Sequence, residues 1–150
     1  MGYNIVLIHP EIPTNTGNIG RLSLATGSTL HLVEPFGFEL SDARLKRAGL
    51  DYWKHLSVKT YANLSAFYSQ NQDKKMVYLS SHGTQSHWNI PYTDELFFVF
   101  GKESVGLPET LLNTNKDHVY TIPLYSPHIR SLNLANAVSI VVYEGLKHLK

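Results

Sequence analysis

The stretch Ile122-Pro-Leu-Tyr-Ser-Pro-His-Ile-Arg-Ser-Leu-Asn-Leu-Ala-Asn-Ala-Val-Ser-Ile-Val-Val-Tyr-Glu144 decides the fold. It runs from the end of a strand, through a polar loop, into an apolar helix that carries asparagines. An asparagine amide is costly to bury without a partner and its helix propensity is modest, so two of them among Leu, Ala, Val and Ile need a reason. At about 100° per residue, Asn133, Asn136, Ser139 and Tyr143 fall within a stripe roughly 120° wide, and the rest of the helix is apolar all round. The pattern predicts a buried helix with one polar seam. Its amides serve either a neighbouring loop, in a core or a dimer interface, or a ligand.

Outward from this helix, short runs of apolar and β-branched residues predict strands at Asn4–His9, Leu30–Val33, Val58–Tyr61, Met76–Ser80, Leu96–Phe100 and Val119–Ile122. Helices are expected at Ile19–Thr26, Asp42–Ala48, Leu64–Gln70, Glu109–Asn113 and Leu132–Leu149, several with Asn or Ser before them or Gly after them. Alternation of this kind implies an α/β fold, a mostly parallel sheet with helices on both faces. The segment Ser81–Pro91 is the longest expected loop.

A chain of 150 residues with 43% hydrophobic content fits one domain over 1–150. Charged residues make up 17%, below the roughly 25% usual for soluble domains, as a partner-covered surface or a large core would make it. A net charge of +1 excludes binding of long nucleic acid by global charge, so any RNA site must be local. The absence of cysteine removes disulfides, thiolate metal sites and Cys nucleophiles together. No apolar run approaches a membrane span, and a soluble, unprocessed protein is expected. The eight histidines show no zinc-protease spacing, and Ser131 has no persuasive His and acid partners in sequence, so neither a metal site nor a hydrolase is expected.

Two further motifs carry chemistry. Asn15-Thr-Gly-Asn-Ile-Gly-Arg21 follows the first strand after the loop His9-Pro-Glu-Ile-Pro-Thr14, and Phe98-Val-Phe-Gly-Lys-Glu-Ser-Val-Gly-Leu-Pro108 passes from a strand through a polar turn to a helix start. The first is one substitution from a dinucleotide fingerprint, with Glu34 placed as a ribose-binding acid, so a nicotinamide-binding protein is a rival reading. Against it, Asn15 stands at the first glycine and six residues, Pro10 to Asn15, separate strand from glycines, where the fingerprint needs a tight turn. The two asparagines and Arg21 also remain unexplained by that reading, and a cation in a helix's first turn is mildly disfavoured unless it has a function.

Taken together and in this order, the three motifs resemble those of the SPOUT superfamily of trefoil-knotted RNA methyltransferases, over nearly the whole chain. The segment Lys46-Arg-Ala-Gly-Leu-Asp-Tyr-Trp53, and the lack of an added RNA-binding domain, are similar to the minimal TrmL (YibK) group of tRNA 2'-O-methyltransferases. The resemblance implies a C-terminal deep trefoil knot, S-adenosyl-L-methionine as methyl donor, and the ribose of the tRNA wobble nucleotide, cytidine or modified uridine, as acceptor. A homodimer in the cytoplasm is expected with it. It makes Arg21 the catalytic candidate and places the donor against Leu79, Ser80, Gly101, Ile122, Leu124, Ser131, Leu132 and Asn133. Arginine is too basic to be an ordinary general base, so its role is anchoring phosphate and stabilising a developing alkoxide, or relaying a proton to phosphate. Asn15, Asn18, Arg44, Lys46, Arg47 and Tyr143 are candidates for contact with the tRNA anticodon stem-loop, Tyr143 being alternatively a dimer-packing residue, with Tyr52 and Trp53 as stacking surfaces. Lys102 stands where many relatives carry proline, and the loop Pro123–Arg130 is about one residue longer than usual. A knotted RNA-binding module without turnover is the non-enzyme alternative.

Overall fold

The computed structural model describes residues 2–40, 43, 47 and 52–149. Its strands are β1 (Asn4–Ile8), β2 (Thr29–Val33), β3 (Val58–Tyr61), β4 (Met76–Leu79), β5 (Gln85–Ser86), β6 (Phe97–Phe100) and β7 (Val119–Thr121). Its helices are α1 (Pro13–Ala25), α2 (Leu64–Gln70), α3 (Glu109–Thr114) and α4 (Leu134–His148). The strands form one sheet in the order β3-β2-β1-β6-β4-β7-β5, and every ladder between them is parallel.

Parallel strands covered on both faces read as continuous apolar runs, which is why Ile5-Val-Leu-Ile8 and Phe97-Phe-Val-Phe100 are buried throughout. Alternate side chains go to opposite faces. Ile5, Leu7, Leu30, Leu32, Phe98 and Phe100 pack with Ile19 of α1 and Val138, Val141 and Val142 of α4. Val6, Ile8, Val33, Phe97 and Val99 pack on the other face with Phe67 of α2, and Leu111 and Leu112 of α3 lie against that layer. The expected α/β architecture with helices on both faces is therefore present. Tyr3 ties the C-terminal helix to this core: its ring occupies the space a side chain at Gly145 would need, and its hydroxyl donates to the Gly145 carbonyl at 2.6 Å.

Three expectations are corrected. Helix α1 starts at Pro13, not Ile19, so Asn15 through Gly20 are helical; Pro at the first position suits a place where no N–H is needed. Gly17 and Gly20 thus lie inside a helix and do not form the tight turn of a dinucleotide fingerprint. Within the expected loop Ser81–Pro91, β5 adds a short edge strand to β7, followed by a 3-10 turn at His87–Asn89. The expected buried α4 is buried on one side only: Asn136, Ile140 and Tyr143 are exposed in the single chain. Of the helix expected over Asp42–Ala48, Ala43 and Arg47 are helical and the other positions lie outside the described residues.

One polar chain crosses the interior. Asn71 Nδ2 donates to the Tyr61 hydroxyl at 3.3 Å, Tyr61 lies 2.8 Å from His31 Nδ1, and His31 Nε2 lies 2.8 Å from Asn4 Oδ1. Since the Asn4 oxygen only accepts, Nε2 carries the proton and Nδ1 accepts from Tyr61, which defines a neutral imidazole. Burial, with a smaller contribution from Lys59, lowers the His31 pKa from its ordinary value of 6.5 to about 4. An unfolded chain therefore takes up a proton that the native chain refuses between those values. Stability from this site should be intact above pH 6.5 and fall as pH drops toward 4, by roughly 3 kcal/mol in all. Urea titrations across this range, compared with His31→Gln, should show the slope in the native sequence and its loss in the variant.

Candidate active site

The sheet registers bring three loops to one place. Leu79 sits opposite Phe100 on one side and Tyr120 on the other, so the chain leaves β6, β4 and β7 at the same level. Ser80 N donates to the Tyr120 carbonyl at 3.0 Å, holding the first residue beyond β4 against β7. Ser80, Gly101 and Ile122 consequently begin adjacent loops at the carboxyl ends of neighbouring strands, where open parallel sheets bind ligands. Leu79 and Gly101 are buried, Ser80, Ile122 and Leu132 half-buried, and Leu124 through Ser131 exposed.

Two of these loops, those after β6 and β7, are tied to the loop after β1 through a carboxylate that sequence reasoning passed over. Glu103 accepts the N–H groups of Glu11 and Ile12 at 2.8 Å each and the Asn15 amide at 3.3 Å. It thereby caps the start of α1, where Ile12 offers no side-chain cap and where the helix dipole favours negative charge. The exchange is reciprocal: the Glu11 carboxylate accepts from Ser104 N at 2.8 Å. Hydrogen bonds from Ser104 hold the Glu11 carboxyl below the usual carboxylate range. Asn15 passes the connection on, its Oδ1 accepting from Asn133 Nδ2 at 3.1 Å. Asn133 caps α4, its Oδ1 accepting from Asn136 N at 3.3 Å. A single polar chain thus joins the loop after β1, the loop after β6 and the start of α4.

This geometry reassigns some expected roles. Asn15 is 7% exposed with both ends of its amide engaged inside the protein, which is not the placement expected of an RNA contact. Asn18 is exposed on α1. The missing side chain at Gly101 is required within its own loop, because a Cβ there would run into the backbone of Gly106 and Leu107. Lys102 and Gly106 close that loop as an antiparallel bridge. Arg21 is exposed, and its position six residues after Asn15 puts it roughly 9 Å along α1 and roughly 120° around it. The Trp53 ring is packed against Gly20 and the core, so it is not an open stacking surface. Arg47 and Tyr143 are exposed; Arg44 and Lys46 lie outside the described residues.

Two hollows flank the sheet. One of about 710 Å³ lies on the α3 side of the interlocked loops, lined by His82, Gly83, Val105, Leu107 and Glu109 among others. A larger one of about 960 Å³ lies at the amino ends of β4, β6 and β7, beside Lys74, Lys75 and His118. Size alone favours the second, but the interlock, Asn133 and the carboxyl ends of the strands lie at the opposite pole.

The sequence model of the SpoU rRNA Methylase family matches residues 2–143. The chain belongs to that family. A tRNA (cytidine(34)-2'-O)-methyltransferase from Saccharophagus degradans is 48% identical over 148 residues, covering 98% of this chain and 96% of its own. The protein of that name from Escherichia coli K12 is 44% identical over 147 residues, covering 97% and 93%. A structure solved for the 2-OH methylation of C/U34 on tRNA superposes with TM-score 0.94 at 39% identity, covering 98% of this chain and 95% of that one. The AdoMet-bound rRNA methyltransferase of Sinorhizobium meliloti shares the fold at 24% identity and TM-score 0.88, over 99% of this chain and 57% of that one.

The interlock predicts the effect of a nearly isosteric change in this SpoU-family chain. Glu103→Gln keeps the size but removes the charge at the start of α1 and one strong acceptor. It should lower stability by about 1–2 kcal/mol in urea unfolding. An unchanged midpoint would show that the carboxylate does not hold the loops.

Proposed function

We propose that the chain transfers the methyl group of S-adenosyl-L-methionine to the ribose 2'-hydroxyl of the wobble nucleotide, cytidine or modified uridine, in the tRNA anticodon loop. The observation that carries the reading is the polar chain from Glu103 through Asn15 to Asn133, which fixes three loops at one end of the sheet. The two relatives above, whose names specify that position and that hydroxyl, support the substrate.

The residues present fit the donor. Leu79, Ile122 and Leu124 offer apolar surface for adenine near the carboxyl ends of β4 and β7. Ser80 and Ser131 add hydroxyls, Gly101 keeps its turn tight, and Leu132 and Asn133 close the side toward α4. S-adenosylmethionine supplies an electrophilic methyl group, so the protein's own work is to align the acceptor oxygen and help its proton leave. Arg21 is the catalytic candidate: its guanidinium anchors the adjacent phosphate and stabilises the charge developing on the 2'-oxygen. Asn18, Arg44, Lys46 and Arg47 remain the proposed RNA contacts, with Asn15 acting through the interlock and Tyr143 packing in the dimer.

A homodimer completes the site. Arg21 is exposed on α1, roughly 9 Å along and roughly 120° around the helix from Asn15, while α4 leaves Ile140 39% and Tyr143 54% exposed. A two-fold interface covering that side of α4 would bring Arg21 of one protomer toward the donor loops of its partner and combine the charge of both. The C-terminal segment is taken to close the family's trefoil knot. Among the described residues no helix is long and apolar enough to cross a membrane, and no group of three His, Cys, Asp or Glu could hold a metal. With tRNA as substrate, the protein works in the cytoplasm.

Incubation with labelled donor and unmodified tRNA, followed by mapping of the labelled nucleotide, should find the methyl group on the wobble ribose. Arg21→Ala should leave donor affinity intact and reduce transfer by at least about a hundredfold, as loss of a charge-stabilising donor does elsewhere. Mixing Arg21→Ala with a chain unable to bind donor should restore part of the activity. Inactive mixed dimers would refute the shared site, and label elsewhere would refute the substrate.

A further inference from the structure

Arg21 Cζ lies 4.9 Å from the centre of the Tyr52 ring. A guanidinium meets an aromatic ring through its flat face, and its five N–H donors lie in its own plane. Held over a ring in this way, the guanidinium spends no N–H donor on a carboxylate partner. Among the described residues none of these donors is taken by a carboxylate or carbonyl. A salt bridge would have held Arg21 as firmly, but it would also have occupied the donors and offset the charge that a phosphate needs. An aromatic face does neither.

The position of Tyr52 depends on Gly20, the residue beside Arg21. A Cβ at Gly20 would stand 2.7 Å from the Trp53 ring and 3.1 Å from Leu56, so the segment 52–56 lies flush on α1 because residue 20 has no side chain. His55 N and Leu56 N donate to the carbonyls of Tyr52 and Trp53 at 3.0 and 3.1 Å, closing a turn around that anchor. Gly20 seats Trp53, and the neighbouring Tyr52 is carried under the guanidinium.

We propose that Tyr52 is a positioning residue for methyl transfer: its ring holds the Arg21 guanidinium face-on, so that the free edge is presented to the phosphate and 2'-oxygen of the acceptor nucleotide. The inference rests on the role proposed above for Arg21. An unsupported arginine on a helix surface explores many rotamers, and ordering it at the moment of reaction would slow the step. The stacked side chain is ordered before RNA arrives. Its effect belongs in kcat and not in the affinity for the donor.

The test is single-turnover methyl transfer to an anticodon stem-loop RNA by Tyr52→Phe and Tyr52→Leu, each alone and combined with Arg21→Ala. Tyr52→Phe keeps the ring face and should stay near the native rate. Tyr52→Leu should lose about tenfold with unchanged donor affinity, and it should cause no further loss once Arg21 is alanine. Circular dichroism checks folding, and Tyr52→His provides a second variant with a weaker ring and an intermediate rate. Tyr52→Leu at the native rate, in a protein that requires Arg21, would overturn this inference alone. So would a loss of the same size in the Arg21→Ala background, since it would mark Tyr52 as merely structural. A native protein that methylates no RNA would overturn the proposed function and this inference together.

Discussion

The Glu103 carboxylate, seated at the positive end of α1, accepts two backbone N–H groups and the amide of Asn15, and through Asn15 it reaches the cap of α4. Parallel strands deliver their carboxyl-terminal loops to one end of a sheet, but they do not fix those loops relative to one another. Here charge-assisted hydrogen bonds do so. They also satisfy orphan N–H groups at the start of α1, so capping and assembly of the site are accomplished by the same bonds. Loop 101–108 is drawn tightly enough that residue 101 must be glycine, and the loop beyond β7 is held at the far end by Asn133.

Much of the sheet was legible because burial on both faces leaves apolar runs: β1, β2, β4 and β6 lie where those runs stand, and the edge strand β3 was found by its β-branched residues. The start of α1 was not. Asn15, Gly17 and Asn18 have weak helix propensity and read as a loop; they are helical because Glu103, distant in sequence, holds the first turn. Glu103 itself was in plain view within Gly101-Lys-Glu-Ser-Val-Gly106, yet one acid in a polar turn carries no local sign of a partner some 90 residues away. The polar seam of α4 was visible from spacing. What it serves was not, since Asn133 joins the interlock while Asn136, Ile140 and Tyr143 face outward. The distinction between buried Asn15 and exposed Asn18 also needed the fold.

A chain of nearly zero net charge must hold a polyanion by placing a few cations well. Arg21 is held by an aromatic ring and Arg47 is exposed. In the proposed dimer, two-fold symmetry would double these and reconcile a neutral composition with the proposed RNA substrate, because an anticodon loop would meet local and not average charge. The same symmetry would cover the apolar side of α4 that a single chain leaves open.

The central claim is that the interlock, and not each loop separately, makes the donor site. Calorimetric titration of S-adenosylmethionine into Asn15→Ala, Asn133→Ala and the double variant tests it most directly. Since the two amides share one connection, each single change should weaken binding by about tenfold and the double change should be little worse than either. Unchanged affinity in all three proteins, or losses that simply add, would contradict the account.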